Sequence, residues 1–222
     1  MKGKGPSEDL ATDCIKSGKA FNIDIQLFDA VWGNDVEIEY QKYKLFPFEN
    51  IKSTRNTKGV KGCFLSHYKL WKKSFDENIP LLIFEHDAEL IRPIPLEEFN
   101  KSEFDVLNLD AYTRSKINYI KHLDNDCGPR ITQYINQHPK KNGFSLYDNT
   151  HIKGLHSYII RPSGAAKLIE ATKIHGVLPA DIAVNSIWCK LFRTETSYCR
   201  LNPKSWKDEN KKAIYSYTKS ER

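Results

Sequence analysis

Residues 79–95 read IPLLIFEHDAELIRPIP, and the fold turns on them. Pro80 to Phe84 is an unbroken apolar run of strand length, the mark of a strand covered on both faces. It stops at three polar residues, Glu85, His86 and Asp87. Weaker strand signals follow the same plan: residues 23–28 alternate and end at Asp29, and 104–109 end at Asp110. A third run spans 155–160. Helical spacing occupies the intervals: 7–18 with Ser7 as N-cap, 64–75, 165–172 after a Pro162-Ser163-Gly164 turn, and 179–190. Residues 59–62 read as a turn, 31–55 give no clear signal, and 115–150 read as a long polar loop. Strands alternating with helices predict an α/β domain with a mostly parallel central sheet. Ligands of such sheets bind beyond the carboxyl ends of the strands, where the acidic residues cluster.

At 222 residues the chain is one domain, expected over 1–201, with a basic surface tail over 202–222. No apolar run reaches the roughly 20 residues of a membrane helix, and MKGKGPSEDL lacks the apolar core of a secretory signal. The expectation is a cytoplasmic protein with no transmembrane segment. Its net charge of +6 comes mostly from scattered lysines rather than clustered arginines, which argues against a nucleic-acid partner. Cys14, Cys63, Cys127, Cys189 and Cys199 are odd in number and form no CxxC pair, so reduced thiols are expected. The seven histidines form neither HxxxH nor HExxH, leaving carboxylates as the natural metal ligands. Carboxylates favour magnesium or manganese over zinc.

Glu85 and Asp87 stand two positions apart at a strand end and lean toward the same cleft. Hard divalent cations share diphosphate oxygens with one or two such carboxylates. Ser66 and His67, in the stretch 62–71 (GCFLSHYKLW), lie early in a helix, where backbone donors and a hydroxyl meet a nucleotide. They are no nucleophile–base dyad, because adjacent helical side chains do not face each other. Asp181, after Pro179-Ala180, is an acid in the first turn of a helix.

In their order these segments resemble glycosyltransferase family 25, the lipooligosaccharide and collagen galactosyltransferases. The resemblance is carried by Phe28-Asp29-Ala30-Val31 with Gly33, by Gly62-Cys63 through Trp71, and by Glu85-His86-Asp87-Ala88. It continues through Gly154 to Leu168 and Pro179-Ala180-Asp181. It implies a GT-A fold, a UDP-hexose donor (galactose or glucose), a glycan or other hydroxyl acceptor, and Mn²⁺ or Mg²⁺. Asp87 would be the direct metal ligand, with Glu85 a ribose contact or further ligand. Asp29, Ala30, Ser66, His67 and His86 would lie near the nucleotide, and Asp181 would be the base of an inverting transfer. His86 replaces the middle acid of the family's triplet. The family's opening apolar strand and N-L pair have no counterpart before MKGKGPSE, so an open sheet position and an incomplete donor pocket are expected. Two other readings use the same residues: a catalytically impaired nucleotide- or glycan-binding relative, and a metal-dependent phosphoester hydrolase. The sequence carries no signal for acceptor, linkage or oligomeric state.

Overall fold

The computed structural model describes residues 6–33, 35–48, 57–110, 126–134, 150–151 and 154–205. Helix α1 (Pro6–Ala20) opens it, followed by α2 (Asp35–Tyr43) and α3 (Lys58–Glu77). Strand β1 (Leu81–Phe84), β2 (Ala88–Leu90), α4 (Leu96–Asn100), β3 (Val106–Asn108) and β4 (Ile131–Gln133) come next. The chain closes with β5 (Ser157–Ile160), α5 (Pro162–His175), α6 (Ala180–Ala183), β6 (Leu191–Thr194), β7 (Cys199–Leu201) and a short 3₁₀ turn, Pro203–Ser205.

The α/β class holds. The main sheet has the order β1-β5-β3-β6-β4, and β2 pairs with β7 in a small second sheet. β1, β3 and β6 run one way, while β5 and β4 oppose them, so β3–β6 is the one parallel neighbour pair. The expected mostly parallel sheet is therefore mixed. A continuous apolar run reports that both faces are covered, not which way the neighbours run. Both faces are indeed covered. Ile83, Val106, Tyr158, Ile160 and Leu191 pack against α2, α3 and α5, while Leu107, Leu109 and Ile159 pack against Phe99 and Tyr198 on the other side.

Three other expectations change. Residues 23–28 carry no regular secondary structure and belong to neither sheet, since no described strand pairs with them. Residues 59–62 are the first turns of α3, capped by Thr57, whose side chain accepts the Val60 N–H. Gly62 is there for closeness rather than for a turn: a Cβ on it would sit 2.8 Å from the Val31 carbonyl oxygen. The helix expected over 179–190 shrinks to α6, because Asn185 accepts the N–H groups of Ile187 and Trp188 and turns the chain toward β6. The unassigned stretch 31–55 contains α2, and most of 115–150 lies outside the described residues, although β4 falls within it. The residues opening the expected tail are integrated: Asn202 is buried, and its N–H donates to the Asp87 carbonyl at 2.7 Å.

Asp105 ties the sheet to α5. Its buried carboxylate accepts Ser163 Oγ at 2.7 Å, Lys167 Nζ at 2.5 Å and the Lys190 N–H at 2.7 Å. Burial alone would raise its pKa, but those three donors and the lysine charge outweigh it and hold the carboxyl below its usual value. Asp105→Ala is expected to destabilise the protein by about 3 kcal/mol in urea denaturation, since it strands buried donors. The lowered pKa gives stability that is present above about pH 4 and lost as the pH falls further. Asp105→Asn should remove that acid-dependent component.

Candidate functional site

A groove of about 620 Å³ runs along β1. It is lined by the β1 strand, which among the described residues pairs with β5 alone, and by the segment 23–28. Ala11, Cys14 and Ile15 of α1 also line it, as do Lys58, Gly59, Gly62, Cys63, Ser66 and His67 of α3. The groove ends at Glu85, His86 and Asp87. Of the residues expected at the site, Ala30, Ser66, His67, Glu85, His86 and Asp87 line this groove. Asp29 is exposed beside Ala30 and is not part of the lining.

Asp181 is not in the lining either. It stands in the first turn of α6, partly buried, and α6 packs on α3. The Cys63 thiol, pushed well up by burial, also feels the charges of Glu85, Asp181 and Asp87. All three acids thus act electrostatically on one thiol of α3.

Ser66 has a task of its own. Its hydroxyl accepts the Val31 N–H at 3.0 Å and donates to the Gly62 carbonyl at 2.7 Å. It thus staples the 29–31 segment to α3, across the close approach that Gly62 permits. Gly62→Ala is expected to force this segment outward, costing about 1–3 kcal/mol of stability and weakening any ligand held between Ala30 and Ser66. Thermal melting and nucleotide titration of the variant check this; unchanged binding would free the segment from the site.

Glu85 follows β1 and sits opposite His156, which precedes β5; its N–H donates to the His156 carbonyl at 2.7 Å. His67 Nε2 lies 3.2 Å from Glu85 Oε1, and His156 Nδ1 lies 3.7 Å from Oε2. Burial alone would raise the Glu85 pKa, but the bonds and charges of His156 and His67 outweigh it and hold the carboxyl well below the usual range. For His156 burial works downward, yet Glu85, Asp110 and Asp87 push it up to about 9. The sequence alone gives His156 no role, although antiparallel register would have placed it beside Glu85 once β5 was known to oppose β1.

Asp87 differs from Glu85. Its pKa is raised, first by burial and then by the Glu85 charge. Its Oδ1 atom is buried with no hydrogen-bond partner among the described residues, as is His86 Nε2. Ligand atoms of Glu85, Asp87 and His156 all lie within 4.8 Å of one another, and a second such group is Cys63, His67 and Glu85. An orphaned carboxylate oxygen beside a second carboxylate is the polar defect that a divalent cation repairs. Two carboxylates and one imidazole form a mixed oxygen and nitrogen donor set of the kind that divalent cations accept. No helix of the described residues is long and apolar enough to cross a membrane.

Comparison with known proteins gives this arrangement a context. Residues 11–184 match the model of glycosyltransferase family 25, described as LPS biosynthesis proteins. The lipooligosaccharide biosynthesis protein lic2B of Haemophilus influenzae is 40% identical over 70 residues, covering 31% of this chain and 25% of that protein. Procollagen galactosyltransferase 1-A of Xenopus laevis is 28% identical over 169 residues, covering 72% of this chain and 26% of its own length. The chain thus spans about a quarter of the length of these relatives. The family match takes in α1, the groove, the Glu85–Asp87 rim and Asp181, and on that ground the chain belongs to glycosyltransferase family 25.

Proposed function

We propose that the chain is a metal-dependent, inverting hexosyltransferase that moves galactose or glucose from a UDP-sugar to a hydroxyl of a glycan or related acceptor. The observation that carries this is the buried Asp87 Oδ1 at the groove, without a hydrogen-bond partner among the described residues and beside Glu85 and His156. Manganese or magnesium would be held by Asp87 and Glu85, with His156 within reach. When bound, such a cation neutralises negative charge building on a departing diphosphate.

The protein's own groups do the remainder. Ala30, held by the Ser66 staple, and Lys58 in the first turn of α3 border the space in which a nucleotide lies. His86 faces the same groove and offers an imidazole N–H to a ribose hydroxyl. Asp181 takes the proton of the acceptor hydroxyl as that oxygen attacks the anomeric carbon from the face opposite the leaving UDP. An ionised carboxylate is suited to this role within hydrogen-bond reach of the oxygen.

Calorimetric titration of UDP with and without manganese, followed by a screen of UDP-sugars for hydrolysis and transfer, tests the reading. Metal-dependent UDP binding with turnover of one sugar is the expected result. Metal-dependent binding without any turnover would instead make the chain a nucleotide-binding relative. Phosphoester cleavage without UDP binding would point to a hydrolase.

A further inference from the structure

Three buried side chains behind Glu85 form a one-way chain of hydrogen bonds. Trp71 Nε1 lies 3.0 Å from the Tyr158 hydroxyl, which lies 2.9 Å from His67 Nδ1. His67 Nε2 then reaches Glu85 Oε1 at 3.2 Å. His67 and Trp71 are one helical turn apart on α3, and Tyr158 rises from β5 beneath them; all three are buried. An indole N–H can only donate. It therefore engages a lone pair of the Tyr158 oxygen and leaves that hydroxyl's single proton to be given to His67 Nδ1. A neutral imidazole with Nδ1 accepting carries its proton on Nε2, aimed at Glu85. The opposite tautomer would strand the tyrosine proton in the core and set the Nε2 lone pair against a carboxylate oxygen. Both faults are costly for groups as buried as Tyr158 and His67.

We propose that Tyr158 is a positioning residue for the donor site. Acting through His67, and with its proton directed by Trp71, it fixes Glu85 so that Oε1 is engaged behind the site and Oε2 is presented on the side of His156 and Asp87. This rests on the proposed function in treating Glu85 as a donor-site carboxylate. It adds Tyr158 and Trp71, which stand outside the groove lining and set how one ligand points. Outer partners of this kind change metal affinity by about 10- to 100-fold when removed.

The test has two arms. In long-range ¹H–¹⁵N spectra of labelled protein at mildly alkaline pH, His67 should show an unprotonated Nδ1 and a protonated Nε2. It should keep that form in Glu85→Ala and lose it in Glu85→Ala combined with Tyr158→Phe. An Nδ1–H form in the unaltered protein, or a switch to it in Glu85→Ala alone, overturns the proposal. In the second arm manganese alone is titrated and followed by electron paramagnetic resonance. Tyr158→Phe, with a far-ultraviolet circular dichroism spectrum matching the unaltered protein, should bind it about tenfold more weakly; equal affinity overturns the positioning role. If the unaltered protein binds no manganese, the metal reading of the site fails, and the tautomer arm still decides this one.

Discussion

Asp87→Ala abolishes manganese-dependent binding of a UDP-sugar and lowers sugar transfer by about a thousandfold, the expected consequence of losing some 4 kcal/mol of charge stabilisation at the diphosphate. The same change should leave the metal-free fold at least as stable as before. Asp87 Oδ1 is buried without a partner among the described residues and lies near a second carboxylate, so in the absence of a cation its charge costs stability. Its raised pKa says the same: above the unfolded-state value the folded protein must ionise the group in an unfavourable place, and stability falls. The combination of a lost function with an equal or higher melting temperature separates a ligand from a structural residue. Calorimetry with UDP and manganese, set beside thermal melts in chelator, measures both. Undiminished metal-dependent binding would remove Asp87 from the site.

Asp181→Asn should behave in the opposite way, keeping donor affinity and losing chemistry. General-base assistance is worth about 10²- to 10⁴-fold, and the amide has no lone pair basic enough to accept a hydroxyl proton. Asp181 is partly buried at the start of α6, outside the groove lining but close enough to Cys63 to act on the thiol that Glu85 and Asp87 also influence. On the proposed reading a donor would occupy the groove without touching Asp181, and the acceptor would be the substrate that meets it. Transfer assays under saturating donor, paired with UDP titration, check the split. Normal transfer by the variant would assign the base elsewhere.

The run 80–84 announced a strand with two covered faces, and β1 is that strand, with Ile83 toward α3 and Leu82 and Phe84 toward the opposite core. Its acidic ending was equally legible, since three consecutive ionisable residues are costly to bury within a sheet core. Strand direction was not legible, because Ile83 is buried equally well by an antiparallel neighbour. That one missing fact hid the partnership of Glu85 with His156, which arises only from the pairing of Phe84 with Ser157. Residues 23–28 show the converse. Their alternation survives as Ile23 and Ile25 turned partly inward, yet a strand also requires hydrogen-bonded neighbours, and no pattern of side chains supplies those. Gly59 and Gly62 suggested a turn by composition, whereas close approach of two backbones demanded a small residue within a helix. Ser66 was visible as a polar residue early in α3, but its staple to Val31 spans 35 positions and lay beyond local reading.

Among the described residues, the free margin of β1 is apolar and presents unmatched main-chain donors and acceptors across the groove. Such a margin is a template on which a second molecule can grow a shared ribbon. An occupant of the groove would cover that margin, so ligand-saturated protein is expected to stay in solution at higher concentration than ligand-free protein, as light scattering would measure.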